Sequence, residues 1–204
     1  MSKVGDAFRQ LEVRVPRLDP AIEKFYELTF EESRLGSGPS RLEELRTREL
    51  ILRHLPTPPA TVLDVGGASG AYAFWLAELG YDVRLIDASA RLVGVARQRN
   101  ASAPRPLAAC TLGDARDLAE ANESADVVLL LGPLYHLVDA GDRRQALNEA
   151  FRVLRGGGML IAAGISRWAD EKRRDVMVRV ARLFESEPAM IGVSAHMMVV
   201  GRKP

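Results

Sequence analysis

The sequence predicts an α/β protein whose mostly parallel sheet is covered by helices on both faces. From residue 61 onward, short runs that are apolar on both faces alternate with amphipathic runs of helical spacing. Glycine or aspartate directly follows each of the first four apolar runs. Right-handed crossovers between such strands give a doubly wound sheet, and ligands bind beyond the carboxyl ends of its strands.

Five strands and three helices are predicted in this alternating region, and one further helical turn is predicted at Arg116–Ala121. The strands are Thr61–Val65, Asp82–Ile86, Leu107–Leu112, Val127–Leu131 and Met159–Ala163. The helices are Ala71–Leu79, Ser89–Asn100 and Arg143–Leu154.

A length of 204 residues fits a single domain with three parts. Residues 1–55 form a helical N-terminal cap, with one helix at Asp19–Thr29 and a second that begins at Ser40. Residues 56–165 form the ligand-binding core. Residues 166–204 contain a charged helix, Trp168–Ser186, and a last strand.

Composition indicates a cytoplasmic protein without a nucleic-acid or membrane partner. The 28 Lys and Arg residues nearly balance the 27 Asp and Glu residues, so no long-range field attracts polyanions. No apolar run reaches the ~18 residues of a membrane helix. The single cysteine, Cys110, forms neither an internal disulfide nor a zinc cage, and it fits a reducing compartment. We expect no metal, and a monomer or homodimer.

The stretch VLDVGGASGAYAFWLAELG, which begins at Val62, passes from a strand through a glycine-rich turn into a helix. Its spacing matches neither the dinucleotide pattern G-x-G-x-x-G nor the triphosphate loop G-x-x-x-x-G-K-[ST]. Asp64, two residues before the turn, would repel a pyrophosphate, and it either orients the turn or accepts hydrogen bonds from an ammonium group. The turn therefore favours a zwitterionic ligand, and a tight turn without any ligand remains the alternative.

The segment DVGGASG, which begins at Asp64, resembles motif I (D/E-x-G-x-G-x-G) of the class I S-adenosylmethionine (SAM)-dependent methyltransferases, with Ala68 in place of the middle glycine. The resemblance continues in order through YDVRLIDAS, LGDARDL, DVVLLLGPLYHLVD and FRVLRGGGMLIAAG, and it covers roughly Leu50 to Gly164. It implies a Rossmann-like sheet of the seven-stranded type. The sheet ends in an antiparallel strand, here Ala195–Gly201.

The resemblance also implies how the residues share the cofactor SAM, whose product is S-adenosylhomocysteine. Asp87 holds the ribose hydroxyls, Asp114 accepts from the adenine amino group, and the backbone of Ala115 meets the ring. In the cap, Tyr26 and Arg41 touch the cofactor, unless Tyr26 packs in the core and Arg41 is solvated. The complete set is Tyr26, Arg41, Asp64, Gly66, Gly67, Ala68, Gly70, Asp87, Ala88, Asp114, Ala115, Leu131 and Gly132.

His136, just beyond the fourth strand, is the candidate general base, with Tyr135 as a neighbouring donor or positioning group. The alternative is that His136 only packs the loop against the next helix. Gly132-Pro133-Leu134-Tyr135 faintly resembles the D/N-P-P-Y motif of nucleic-acid amine methyltransferases, but Gly132 has no side chain to accept from the amine. A small-molecule methyl acceptor is therefore expected.

Two other functions remain open. A nicotinamide-dependent oxidoreductase is disfavoured by the glycine spacing and by Asp64, although Asp87 suits either cofactor. The second alternative function is a non-catalytic SAM-binding protein. Relatives carry a segment that covers the substrate after the position of Arg167, and a protein without that segment would have an open site. We expect that a segment is missing between about Arg167 and Trp168, the alternative being that the protein has lost it.

Overall fold

The structure, a computed structural model, describes residues 39–165 and 196–204. Tyr26, the first predicted helix, the helix Trp168–Ser186 and the junction at 167/168 lie outside the described residues, as does the side chain of Arg41. The described helices are α1 (Pro39–His54), α2 (Ala71–Glu78), α3 (Ala90–Asn100), α4 (Pro133–His136) and α5 (Ala140–Val153). The described strands are β1 (Thr61–Val65), β2 (Asp82–Asp87), β3 (Ala109–Leu112), β4 (Ala125–Leu130), β5 (Leu154–Ile165) and β6 (His196–Arg202).

These strands form one sheet of order β3-β2-β1-β4-β5-β6. The first five are parallel, and β6 runs antiparallel to β5 from Ile165↔His196 to Met159↔Arg202. The predicted doubly wound fold and its antiparallel last strand are thereby confirmed. The described residues hold six strands rather than the seven of the expected type. Strand order reverses between β1 and β4, which is where ligands bind in such sheets.

Apolar side chains cover both faces of the sheet. On one face, Leu50 and Ile51 of α1 and Phe74 of α2 pack with the strands in one buried cluster. On the other, Ala146 and Val153 of α5 belong to a second cluster. The strands are therefore apolar on both faces, which is why the sequence shows continuous runs instead of alternation.

Side-chain hydrogen bonds fix where three elements begin. Ser89 caps α3 by accepting from the N–H of Leu92 at 3.3 Å. Asp139 caps α5 by accepting from the N–H of Gly141 at 2.6 Å, so this helix begins at Ala140 and not at the predicted Arg143. The side-chain amide of Asn100 donates to the carbonyl oxygen of Leu107 and accepts from its N–H. β3 therefore begins at Ala109 and not at the predicted Leu107.

The predicted helical turn at Arg116–Ala121 is wrong. The Asp114 carboxylate accepts from the N–H of Arg116 at 2.9 Å, a local bond that competes with helix formation. Arg152 of α5 then holds the next carbonyls, those of Leu118 and Glu120, each at 2.8 Å. This segment is consequently a loop that hydrogen bonds hold to α5.

None of the helices in the two described ranges is long and apolar enough to span a bilayer.

Candidate functional site

A cleft lies beyond the carboxyl ends of β1 to β4, at the point where strand order reverses. It contains about 560 Å³ of space, part of it open to solvent. Seven of the predicted site residues line it, and four further residues do so without having been predicted. The predicted ones are Gly66, Asp87, Ala88, Asp114, Ala115, Gly132 and His136, and the others are Gly113, Pro133, Arg116 and Leu137.

Gly66, the first residue of the glycine turn, lines the cleft, and the rest of the turn lies behind it. Gly66 has a φ of +74°, and a Cβ atom there would lie 2.5 Å from the ring carbons Cγ and Cδ of Pro133. Gly70 has a φ of +90°, and its Cβ would meet the Phe74 ring at 2.8 Å. Both positions therefore need glycine for conformation as well as for space.

Ala68, the residue that departs from the motif, also has a positive φ, of 50°. Its backbone N–H donates to Oδ2 of Asp87 at 2.8 Å. The turn thus keeps a left-handed conformation at this position and uses it to reach the acid at the end of the neighbouring strand.

Asp64 lies beneath the turn and is only 1% exposed. A Cβ atom at Gly67 would lie 2.7 Å from its Oδ2 atom, so the bare backbone of Gly67 rests on the carboxyl group. Oδ2 is buried and has no hydrogen-bond partner. Burial first, and then the charge of Asp87, raise the pKa of Asp64 to about 7, although the N–H of Ala73 opposes this by donating to it.

Asp87 ends β2 and its carboxylate forms part of the cleft wall. Oδ1 accepts from the N–H of Ser89 at 2.8 Å, and Oδ2 accepts from Ala68. Burial raises the pKa of Asp87, against the lowering effect of the N–H groups of Ser89, Ala68 and Ala88. A carboxylate has about four acceptor sites, so these bonds leave capacity for a ligand donor.

Asp114 follows β3 and is held by an arginine that sequence reasoning missed. Arg116 donates through Nε to Oδ1 at 2.9 Å and through Nη2 to Oδ2 at 2.6 Å. Its third arm, Nη1, donates to Oδ2 of Asp142 in the first turn of α5 at 2.7 Å. The pair Asp114–Arg116 is visible in the sequence as neighbours, but Asp142 comes near only through the fold.

The segment after β4 lines the cleft beside the glycine turn. Gly132 packs against the turn, since a Cβ atom there would lie 3.0 Å from the carbonyl oxygen of Gly66. His136 faces the cleft, whereas Tyr135 is not among the lining residues. The two rings are 4.4 Å apart at an interplanar angle of 55°.

The remaining predicted residues lie behind this surface. Asp64, Gly67, Ala68, Gly70 and Leu131 support the cleft wall without lining it. Within the parts of the chain that the structure describes, no group of three or more His, Cys, Asp or Glu side chains is arranged to hold a metal ion.

Comparison with known proteins confirms the resemblance drawn from the sequence. Residues 63–162 match the family model described as a methyltransferase domain. The chain is 32% identical to the ubiquinone biosynthesis O-methyltransferase of Sinorhizobium medicae (strain WSM419) over 139 residues, which are 64% of this chain and 53% of that protein. It is 36% identical to the methyltransferase GfsG of Streptomyces halstedii over 124 residues, 60% of this chain and 44% of that protein. The chain thus spans about half the length of the curated relatives it matches.

Solved structures share the fold. The N-methyltransferase NodS of Bradyrhizobium japonicum WM9, in complex with S-adenosylhomocysteine, has a TM-score of 0.67 at 21% identity. The match covers 90% of this chain and 97% of that one. The PH0226 protein of Pyrococcus horikoshii OT3 has a TM-score of 0.68 at 20% identity, with 89% and 98% covered.

Proposed function

Because the chain belongs to the class I SAM-dependent methyltransferases, we propose that it transfers the methyl group of SAM to a small molecule at this cleft. The observation that carries the proposal is the pair of acids on adjacent strand ends. Asp64 is buried with an unused oxygen under the glycine turn, and Asp87 presents a carboxylate at the cleft wall. SAM supplies an electrophilic methyl group on a sulfonium when it is bound.

The residues present fit the amino-acid end of this cofactor. The unpartnered Oδ2 atom of Asp64 is buried behind the cleft wall and needs a donor, which an ammonium group at the turn would provide through a water molecule. A pyrophosphate would instead bring negative charge toward two carboxylates. This disfavours the nicotinamide alternative, which no comparison supports.

The nucleoside end fits the acids that follow β2 and β3. Asp87 has acceptor capacity for ribose hydroxyls, and its two N–H bonds keep the carboxylate in place. Asp114 and the backbone of Ala115 line the next part of the cleft, where the adenine amino group and ring would lie. Each assignment matches a polar group of the cofactor with a group of opposite hydrogen-bonding character.

His136 is the group that we propose as general base for an acceptor that must lose a proton. It lines the cleft on the β4 side, and Tyr135 packs against its ring at 4.4 Å. Methyl transfer is an in-line displacement, so the main task of the chain is to align the acceptor with the methyl carbon. Removal of a proton by a positioned imidazole adds to this.

The relative from Sinorhizobium medicae is named an O-methyltransferase, which favours an oxygen atom as the methyl acceptor. We propose a cytoplasmic location on the strength of the single cysteine and balanced charge.

Calorimetric titration with S-adenosylhomocysteine, with NADH as the comparison ligand, tests the proposal. We expect micromolar binding of the first and none of the second. Asp87→Asn should weaken binding by roughly 10-fold or more, the scale of a hydrogen bond to a charged group. Asp82→Asn is the matched control, because Asp82 is exposed at the opposite end of the same strand. Binding of NADH alone, or equal affinities of the two variants, would contradict the proposal.

A further inference from the structure

We propose that Arg116 is a positioning residue that makes the cleft selective for the 6-amino group of adenine by holding the Asp114 carboxylate in one orientation. The inference rests on the proposed function, since it concerns the same cofactor. It adds a residue and a specificity to that site. Arg116 is hydrogen-bonded to both Asp114 and Asp142 and thereby connects the two carboxylates.

The geometry on the Asp114 side leaves this carboxylate little freedom. Arg116 approaches as a fork, with Nε on Oδ1 at 2.9 Å and Nη2 on Oδ2 at 2.6 Å. The backbone N–H of Arg116 also donates to Oδ1, at 2.9 Å. Two parallel bonds from a planar guanidinium fix the plane of the carboxylate. The third bond, from the backbone, fixes the position of the carboxylate in the loop after β3.

Arg116 is in turn anchored to a helix. Nη1 donates to Asp142 at 2.7 Å, and the carbonyl oxygen of Arg116 accepts from Nε2 of Gln145 at 2.9 Å. Both partners belong to α5, which is packed into the core through Ala146 and Ala150. The side chains of Arg116 and Asp114 are only 16% and 20% exposed, so water screens this pair weakly, whereas Asp142 is 38% exposed and its bond is screened more. The loop after β3 is therefore held to a rigid element.

An oriented carboxylate can tell an amino group from a carbonyl group. Ionised Asp114 is an acceptor only, so it matches the 6-amino donor of adenine and opposes the 6-oxo acceptor of hypoxanthine. A carboxylate that rotates freely would turn away from the wrong group and discriminate less. The hydrogen bonds to Asp114 and Asp142 raise the pKa of Arg116, so the guanidinium stays charged throughout the working pH range.

The test compares the affinity of S-adenosylhomocysteine with that of its 6-oxo analogue, S-inosylhomocysteine, by calorimetry. The wild type should prefer the amino compound by roughly 10-fold or more. Arg116→Gln should reduce this preference to about threefold or less, and Arg116→Lys should restore only part of it, because an ammonium is a point charge and not a fork. Arg155→Gln is the control, since it removes an Arg–Asp pair (to Asp126, at 2.8 Å) that lies away from the cleft.

A double-mutant cycle separates positioning from a structural role. In an Asp114→Asn background, Arg116→Gln should leave the amino-to-oxo preference unchanged, because the group it positions is already altered. If Arg116→Gln keeps the wild-type preference while S-adenosylhomocysteine still binds, the positioning role is overturned and the proposed function stands. If wild type binds neither compound, both proposals fail.

Discussion

Replacing Asp64 by Asn should remove a pH dependence of stability that this one buried carboxyl group creates. Asp64 is 1% exposed, and burial together with the charge of Asp87 raises its pKa from 3.8 to about 7. Between these two values the folded protein keeps the proton, whereas the unfolded chain has lost it. Asn has nearly the same shape and carries no ionisable proton, so it isolates the effect.

The sign and the size follow from proton binding. The folded state binds more protons than the unfolded state between about pH 4 and pH 7, so the free energy of unfolding falls as pH rises through this interval. A pKa difference of about three units corresponds to about 4 kcal/mol in total. Of this, roughly 2.5 kcal/mol is lost between pH 5 and pH 8. The contribution is constant above the folded pKa.

Urea unfolding at pH 5 and pH 8 measures the effect in wild type, in Asp64→Asn and in the exposed control Asp82→Asn. Relative to wild type, Asp64→Asn should gain roughly 2.5 kcal/mol on going from pH 5 to pH 8. Asp82→Asn should follow wild type. Any pH dependence that Asp64→Asn retains reports on the other groups, Asp87 among them. Parallel curves for wild type and Asp64→Asn would refute the reasoning.

Two further substitutions probe the turn and the chemistry. In the same urea assay, Gly66→Ala should destabilise the fold by about 2–3 kcal/mol, because its Cβ would lie 2.5 Å from Pro133 and its φ is +74°. The control is Gly94→Ala, in a helix with open space around the position, and it should stabilise the fold by about 0.5–1 kcal/mol. Comparable effects of the two would contradict the close packing of the turn. His136→Ala should lower turnover about 10²-fold or more with an oxygen acceptor while S-adenosylhomocysteine affinity changes less than about threefold. Undiminished turnover would remove His136 as the base.

The strand cores could be read from the sequence, but several ends could not. β1 matches its predicted bounds, and four of its five residues, all but Thr61, are buried. β5 begins at Leu154 instead of Met159, and a register shift separates the pairs Ala125↔Leu154 and Val127↔Met159. Hydropathy does not reveal that extension, because it runs through three glycines and is held in part by backbone bonds that Lys203 makes with Gly157 and Gly158.

In the site, too, residues next to strands could be predicted from the sequence, whereas contacts between residues far apart in the chain could not. Gly66 follows directly after β1 and Asp87 is the last residue of β2, so a residue's place in the chain already puts it at the correct edge of the sheet. Arg116 could not be found this way, since its second acid is on α5, 26 residues along the chain. An Asp-x-Arg sequence directly after a strand was the available signal for the first contact.

Ala68 shows what the glycine pattern of the turn selects. A left-handed conformation costs a non-glycine residue roughly 1–2 kcal/mol. The bond from its N–H to the Asp87 carboxylate, at 2.8 Å, belongs to the charged class that contributes about 1.5–3 kcal/mol. The two effects are of similar size, so a methyl group is tolerated where the family motif has glycine. The position requires a positive φ and an N–H aimed at Asp87, and the sequence departs from the motif while the geometry that joins β1 to β2 at the cleft is kept.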